Sequence, residues 1–196
     1  MVAKRSHDRE YMSVEEYLQL DESVEGIKYE YIDGYVYQLS TGATNLAGGT
    51  DDHAIMSMNI AAILWNLLQD SSCYVYGSDK RVQLSETRYV FPDASVSCQE
   101  VEDEGEEDIR HLRVVVEVLS PSTRTYDQGK KFFLYQSCPT IEAVVFVDNT
   151  IRSVTVFHKE GELWVHMPYY AGETAIIECL SVRFPVDKVY RGVSFP

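Results

Sequence analysis

Residues 112–120 read LRVVVEVLS, and the fold turns on this run. It is almost continuous in branched apolar residues, which is what a strand covered on both faces requires. Pro121 stops it, because proline cannot donate to a ladder. A second run of this kind, EAVVFVD (142–148), lies beyond a segment with helical spacing, YDQGKKFFLYQ (126–136). Strand, helix, strand in this order predicts the centre of a sheet with a helix packed on it.

Working outward, Ser13-Val14-Glu15-Glu16 has the form of a capping box, so a short helix is expected over 14–20. In KYEYIDGYVYQLS two aromatic, β-branched runs flank Asp33-Gly34, a strong hairpin signal. The stretch TGATNLAGGT (41–50) reads as a loop. From Asp52 to Gln69 the pattern is helical, with Ile55, Met58, Ala62 and Trp65 recurring three and four apart and Ile63, Leu64, Leu67 and Leu68 widening the stripe. Residues 73–98 read as short strands (CYVYG, RVQL, YVFPDASVSC), and SVTVFH, ELWVH and TAIIECL as antiparallel ones. The order predicts an α/β (α+β) architecture: a mixed central sheet flanked by helices, with antiparallel additions. At 196 residues the chain supports one core, expected as one domain over 1–196.

Composition narrows the class. With 45% hydrophobic and 24% charged residues the chain is an ordinary globular one. No apolar run approaches the ~20 residues a membrane span needs, and MVAKRSHDRE lacks a signal-peptide core. A cytoplasmic protein without membrane contact is expected. The net charge of −14 argues against a general nucleic-acid coat. The acids are concentrated at 100–108 (EVEDEGEED), either a solvated loop or a flap over an anionic-substrate site. Cys73, Cys98, Cys138 and Cys179 are far apart with no C-x-x-C, so neither a zinc knuckle nor a redox pair is indicated and reduced thiols are expected.

Glu117 sits among Val114, Val115, Val116, Val118 and Leu119. A carboxylate in such a strand needs a cation, a metal or a raised pKa to offset its burial; alternatively it faces outward or pairs with an Arg. Asp93 follows Phe91-Pro92 at a strand boundary, where an Asp is often only a turn residue. Taken together, the two fall on successive strands. Side chains on one face of paired strands approach to roughly 5 Å, and two carboxylates that close call for a divalent cation such as Mg²⁺ or Mn²⁺. Lys131 shares a helical face with Leu134 and Tyr135 and is expected to point inward, whereas Lys130 is expected to face solvent.

The segments KYEYIDGYV, DDHAIMSMNIAAIL, VFPDASV, VVVEVLSPST and YDQGKKFFLYQSCPTIEAVVFVD resemble a bacterial family usually labelled putative restriction endonuclease, within the PD-(D/E)XK nuclease superfamily. The likeness runs from about Met12 to about Val165. It implies a restriction-endonuclease-like fold, metal-dependent DNA cleavage with Mg²⁺ or Mn²⁺, and DNA as partner, with a homodimer as the superfamily's usual way to cut two strands. Pro92-Asp93 supplies the PD and Glu117 the acidic position, while the Val118 carbonyl is a further metal ligand by analogy. The superfamily expects Lys at 119, where this chain has Leu119; the family resemblance moves the amine to Lys131 in D-x-G-x-K. Glu30 is either an additional acid near the metal or a hairpin residue paired with a Lys. His53 is either a phosphate contact or a helix-start residue. Asp127 is expected as a helix N-terminal acid.

The sequence supports two functions. One is a metal-dependent endonuclease using Asp93, Glu117, Lys131 and Glu30. The other is a binding module that kept the fold and lost turnover, favoured by the −14 charge and by Leu119. The chain has no G-x-S-x-G, H-E-x-x-H or P-loop string to support a small-molecule hydrolase.

Overall fold

The computed structural model describes residues 11–24, 26–39, 51–98, 108–121 and 124–195. The expected loop at 41–50 and nearly all of the acidic run, save Asp108, lie outside the described residues.

Helix α1 (Val14–Ser23) starts on the capping box: Ser13 Oγ accepts from the Glu16 amide, and the Glu16 carboxylate accepts from the Ser13 amide. Strands β1 (Lys28–Ile32) and β2 (Tyr35–Leu39) form the hairpin. Its turn uses Asp33 at φ 50° and Gly34 at φ 92°, backbone that the Asp-Gly pair tolerates best. Helix α2 is Asp51–Leu68. Four short strands follow: β3 (Tyr74–Gly77), β4 (Val82–Ser85), β5 (Arg88–Val90) and β6 (Ala94–Ser97).

Strand β7 is Leu112–Leu119, the nearly continuous apolar run. After it comes a composite helix, α3: one α-turn (Arg124–Tyr126), a π turn (Asp127–Lys131) and an α-helical end (Phe132–Ser137). Then come β8 (Ala143–Asp148), β9 (Ser153–Glu160), β10 (Leu163–Tyr170), β11 (Thr174–Ile177), β12 (Val182–Pro185) and α4 (Val186–Val189). The expected strand TAIIECL ends early, since Glu178–Leu180 curl into a 3-10 turn.

The main sheet has the order β10-β9-β8-β7-β6-β3. Among the described strands of this sheet only β7 and β8 run parallel, and α3 is the crossover that a parallel pair needs. A second sheet, β2-β1-β5-β4, takes β5 from the same stretch that gives β6 to the first. The chain changes sheets at Phe91-Pro92-Asp93, where proline's missing donor costs no ladder bond.

Alternation along β7 sorts the core. Val114, Val116 and Val118 pack with Met56, Ile60 and Leu64 of α2 on one face. Val115 and Leu119 pack with Tyr135 of α3 and Phe146 on the other. Helices thus flank the sheet on both sides. A third cluster joins Tyr17, Tyr31 and Tyr89, beside Arg81, which pairs with Asp21 and Asp108.

Two expectations need correction. The buried stripe of α2 is Met56, Ile60, Leu64 and Leu68, not the one through Met58 and Trp65, which are 70% and 58% exposed. The helix is apolar nearly all round, so spacing alone could not choose the face. The thiols are not all reduced either: Cys73 and Cys98 form a disulfide, leaving Cys138 and Cys179 free. Cys73 precedes β3 and Cys98 follows β6, and the antiparallel register Tyr74↔Ser97 sets them side by side. That pairing is a property of the sheet and leaves no spacing motif.

Candidate active site

The period of two that turns Val115 and Leu119 toward α3 turns Glu117 the same way. It is 4% exposed, and so is Lys131. The Lys131 Nζ lies 2.8 Å from Glu117 Oε1 and 3.0 Å from Glu30 Oε1. One ammonium is thus held between two buried carboxylates, one from the main sheet and one from the hairpin sheet. Of the two expectations for Glu30 the structure shows the pairing with a lysine, and that lysine is the one at Glu117.

Two tyrosines complete this inner group. Tyr135, one helical turn beyond Lys131, donates its hydroxyl to Glu117. Tyr126 donates to Glu30 Oε2 at 2.9 Å, and the Phe91 amide donates to Glu30 Oε1 at 3.4 Å. Neither tyrosine was singled out for the site from sequence. The spacing 127, 131, 135 is the signal that could have found Tyr135, since i and i+4 share a face. Asp127, expected as a helix N-terminal acid, lies in the first turn of the π segment and is buried there, close enough for its charge to act on Glu117 and Lys131. Lys130 behaves as expected, exposed and lying over the Tyr37 ring.

Asp93 stands at the outer edge of this group. The register Ala94↔Val116 puts it across from Glu117 on the adjoining strand. Its Oδ2 accepts from the Val118 amide at 2.7 Å, and its Oδ1 lies 2.9 Å from His53 Nε2. Val118 therefore meets the acid through its N–H. His53, near the start of α2, is engaged by Asp93.

The electrostatics follow from burial and from the excess of acids. Burial pushes the Glu117 carboxyl up to about 8; Lys131 pulls it down, and Asp93 and Asp127 push it up again. Burial works against charge on Lys131, but Glu117 and Glu30 outweigh it and hold the ammonium protonated, well above the usual lysine value. Burial likewise opposes charge on His53, and the hydrogen bond and charge of Asp93 raise its pKa above the ordinary imidazole value.

Among the described residues no three His, Cys, Asp or Glu side chains close on one point. What the strand tips offer is two hard oxygen donors, Asp93 and Glu117, in a setting with more acid than Lys131 balances. That donor set fits an ion held by one or two carboxylates that keeps several waters, as Mg²⁺ is.

Comparison with known proteins agrees with this architecture. The chain is 34% identical over 187 residues to the uncharacterized protein slr1290 of Synechocystis sp., covering 94% of each. It is 26% identical over 170 residues to a second Synechocystis protein, sll1609, covering 85% of this chain and 92% of that one. A crystal structure described as a putative nuclease belonging to DUF820, from Anabaena variabilis, superposes with a TM-score of 0.70 over 92% of this chain and 98% of that one. At 14% identity the superposition speaks for the fold alone. The family model Uma2, described as "Putative restriction endonuclease", matches residues 14–186, and the chain belongs to that family.

Proposed function

We propose that this protein is a Mg²⁺- or Mn²⁺-dependent endonuclease that hydrolyses phosphodiester bonds in DNA. The observation that carries the proposal is the salt bridge from Lys131 Nζ to Glu117 at 2.8 Å, which brings an amine from α3 to the acid of β7 where Leu119 leaves the strand without one. The ion would be held by Asp93, Glu117 and the Val118 carbonyl. Such an ion makes its bound water more acidic and stabilises charge on a phosphoryl oxygen.

The other groups serve that centre. Lys131 keeps its proton and so provides positive charge beside the attacked phosphorus. Glu30 and Tyr126 position Lys131, the first by a direct ion pair and the second by fixing Glu30. His53 fixes the Asp93 carboxylate from the α2 side. These last three are positioning residues in this scheme.

A specific observation favours the second reading, a nuclease fold without turnover: both acids flanking Lys131 already engage its ammonium, deep in the protein. A cleavage assay separates the two readings. Supercoiled plasmid incubated with the protein and either ion should be nicked, EDTA should stop the reaction, and Glu117→Ala and Lys131→Ala should each lower the rate at least about 100-fold. No cutting of duplex, single-stranded or branched DNA with either ion would support the silent fold.

A further inference from the structure

The outer side of α2 is unusual for an acidic protein. Arg183 of β12, Lys188 of α4 and Arg191 just beyond it converge on one groove against Asn66 and the apolar Ala62, Ile63 and Leu67 of α2. All three cations are exposed, and none of their side chains has an ion-pair partner among the described residues. Asp187, the nearest acid in sequence, is turned away toward Arg152 and the Gly172 amide. Unpaired cations gathered in one place on a chain of net charge −14 mark a surface for a polyanion.

Ala62 also lines a second groove, on the other side of the exposed ridge of α2. That groove carries Met58 and Trp65 on one wall and Tyr76 on the other, and it ends at His53 and Asp93. Its lining includes no Lys or Arg, and its two acids are engaged, Asp79 by Lys28 and Asp93 by His53. The two grooves share a border along α2: the first sets its three cations among apolar Ile63, Leu67 and Phe184, the second has no cation of this kind, and the second leads into the candidate active site. Apolar and aromatic walls suit the flat face of a base, and a cationic groove suits phosphates.

Resting on the endonuclease reading, we infer that an unpaired DNA strand crosses α2 on its way to Asp93, with its phosphates on Arg183, Lys188 and Arg191 and a base against Trp65. The strand is unpaired where it meets Trp65, because a base in a duplex has no free face to stack. The substrate class that follows is single-stranded or branched DNA.

The test is a binding titration without divalent ion, so it does not depend on cleavage. The probes are a fluorescein-labelled 16-nucleotide single strand, the same strand with abasic sites at its centre, and the matching duplex, each over a series of KCl concentrations. Wild type should bind the intact strand at least tenfold more tightly than the other two. The triple variant R183Q/K188Q/R191Q should weaken binding of the single strand at least tenfold. It should also flatten the plot of log affinity against log salt by about two, since each lost phosphate contact is worth ~0.7 on a single strand. Trp65→Ala should weaken the intact strand at least fivefold and leave both the abasic strand and the salt slope unchanged.

An unchanged salt slope in the triple variant overturns the phosphate assignment, and equal loss on intact and abasic strands overturns the stacking assignment. A wild-type dimer that the triple variant dissolves at unchanged DNA affinity assigns the cations to a second copy and overturns the inference. The four residues are exposed, and equal melting temperatures for all variants verify their folding. If the strand binds as expected and no DNA is cut, the endonuclease reading fails and the groove stands. If wild type cuts and the variants bind and cut as it does, the groove alone fails.

Discussion

Glu117 carries most of the tension in this molecule. Burial pushes its carboxyl up to about 8, against an ordinary value of 4.5, with Lys131 pulling against the rise. The folded state therefore keeps a proton that the unfolded chain has already released. Stability from this group is fully present below about pH 4.5 and is lost as pH climbs toward 8. In EDTA, wild type should lose roughly 1–3 kcal/mol between pH 5 and 8 from this residue, and Glu117→Gln should flatten the loss, as urea unfolding at the two pH values will measure. Lys131→Met should behave in the opposite sense. At alkaline pH it strands two buried carboxylates without their cation, at a cost of about 3–5 kcal/mol, and melting temperature should fall most there. At this scale the sequence was informative where a charge interrupted an apolar run, as at Glu117, and where helical spacing set the face, as at Lys131. It was silent on Tyr126, because that contact runs to Glu30 on a distant hairpin.

The element that makes the site is α3, and its π turn is the unusual part. An extra residue per turn between Asp127 and Lys131 lets Tyr126 reach Glu30 while Lys131 and Tyr135 reach Glu117. Such turns recur at functional sites because they re-aim side chains within a helix. Deleting exposed Gln128 should restore α-helical phase and break one of the two sets of contacts. The expected result is a folded protein destabilised by about 2–4 kcal/mol with no plasmid-nicking activity; equal stability would mean that the π turn is incidental. A helix was legible here and the π turn was not, since no residue pattern announces one. Helix α2 failed differently: its apolar residues run nearly all round, and two overlapping stripes satisfied the same periodicity. The packed stripe is the one facing Val114, Val116 and Val118, and the other, through Met58 and Trp65, was left outside.

Across the whole molecule, the central sheet was legible because β7 and β8 are apolar on both faces and only a covered sheet accommodates that. The partition of 73–98 into two sheets was not, because it depends on where Pro92 releases the chain. Nor was the disulfide, which joins residues brought together by β3–β6 pairing. Reduction, or Cys73→Ser, should cost about 2–4 kcal/mol by freeing the unfolded chain; differential scanning calorimetry with and without reductant will register it.

Cleavage by this centre requires that Asp93 and Glu117 share one divalent ion. A calorimetric titration of Mn²⁺ into metal-free protein at pH 7, in two buffers of different ionisation enthalpy, addresses this directly. Because burial raises the Glu117 carboxyl and an ion would favour its charged form, binding should proceed with one ion per chain and with proton release visible as a buffer-dependent heat. Asp93→Asn should abolish the heat. Wild type that takes up no ion, or takes it up as well when Asp93 is replaced, would contradict the metal centre.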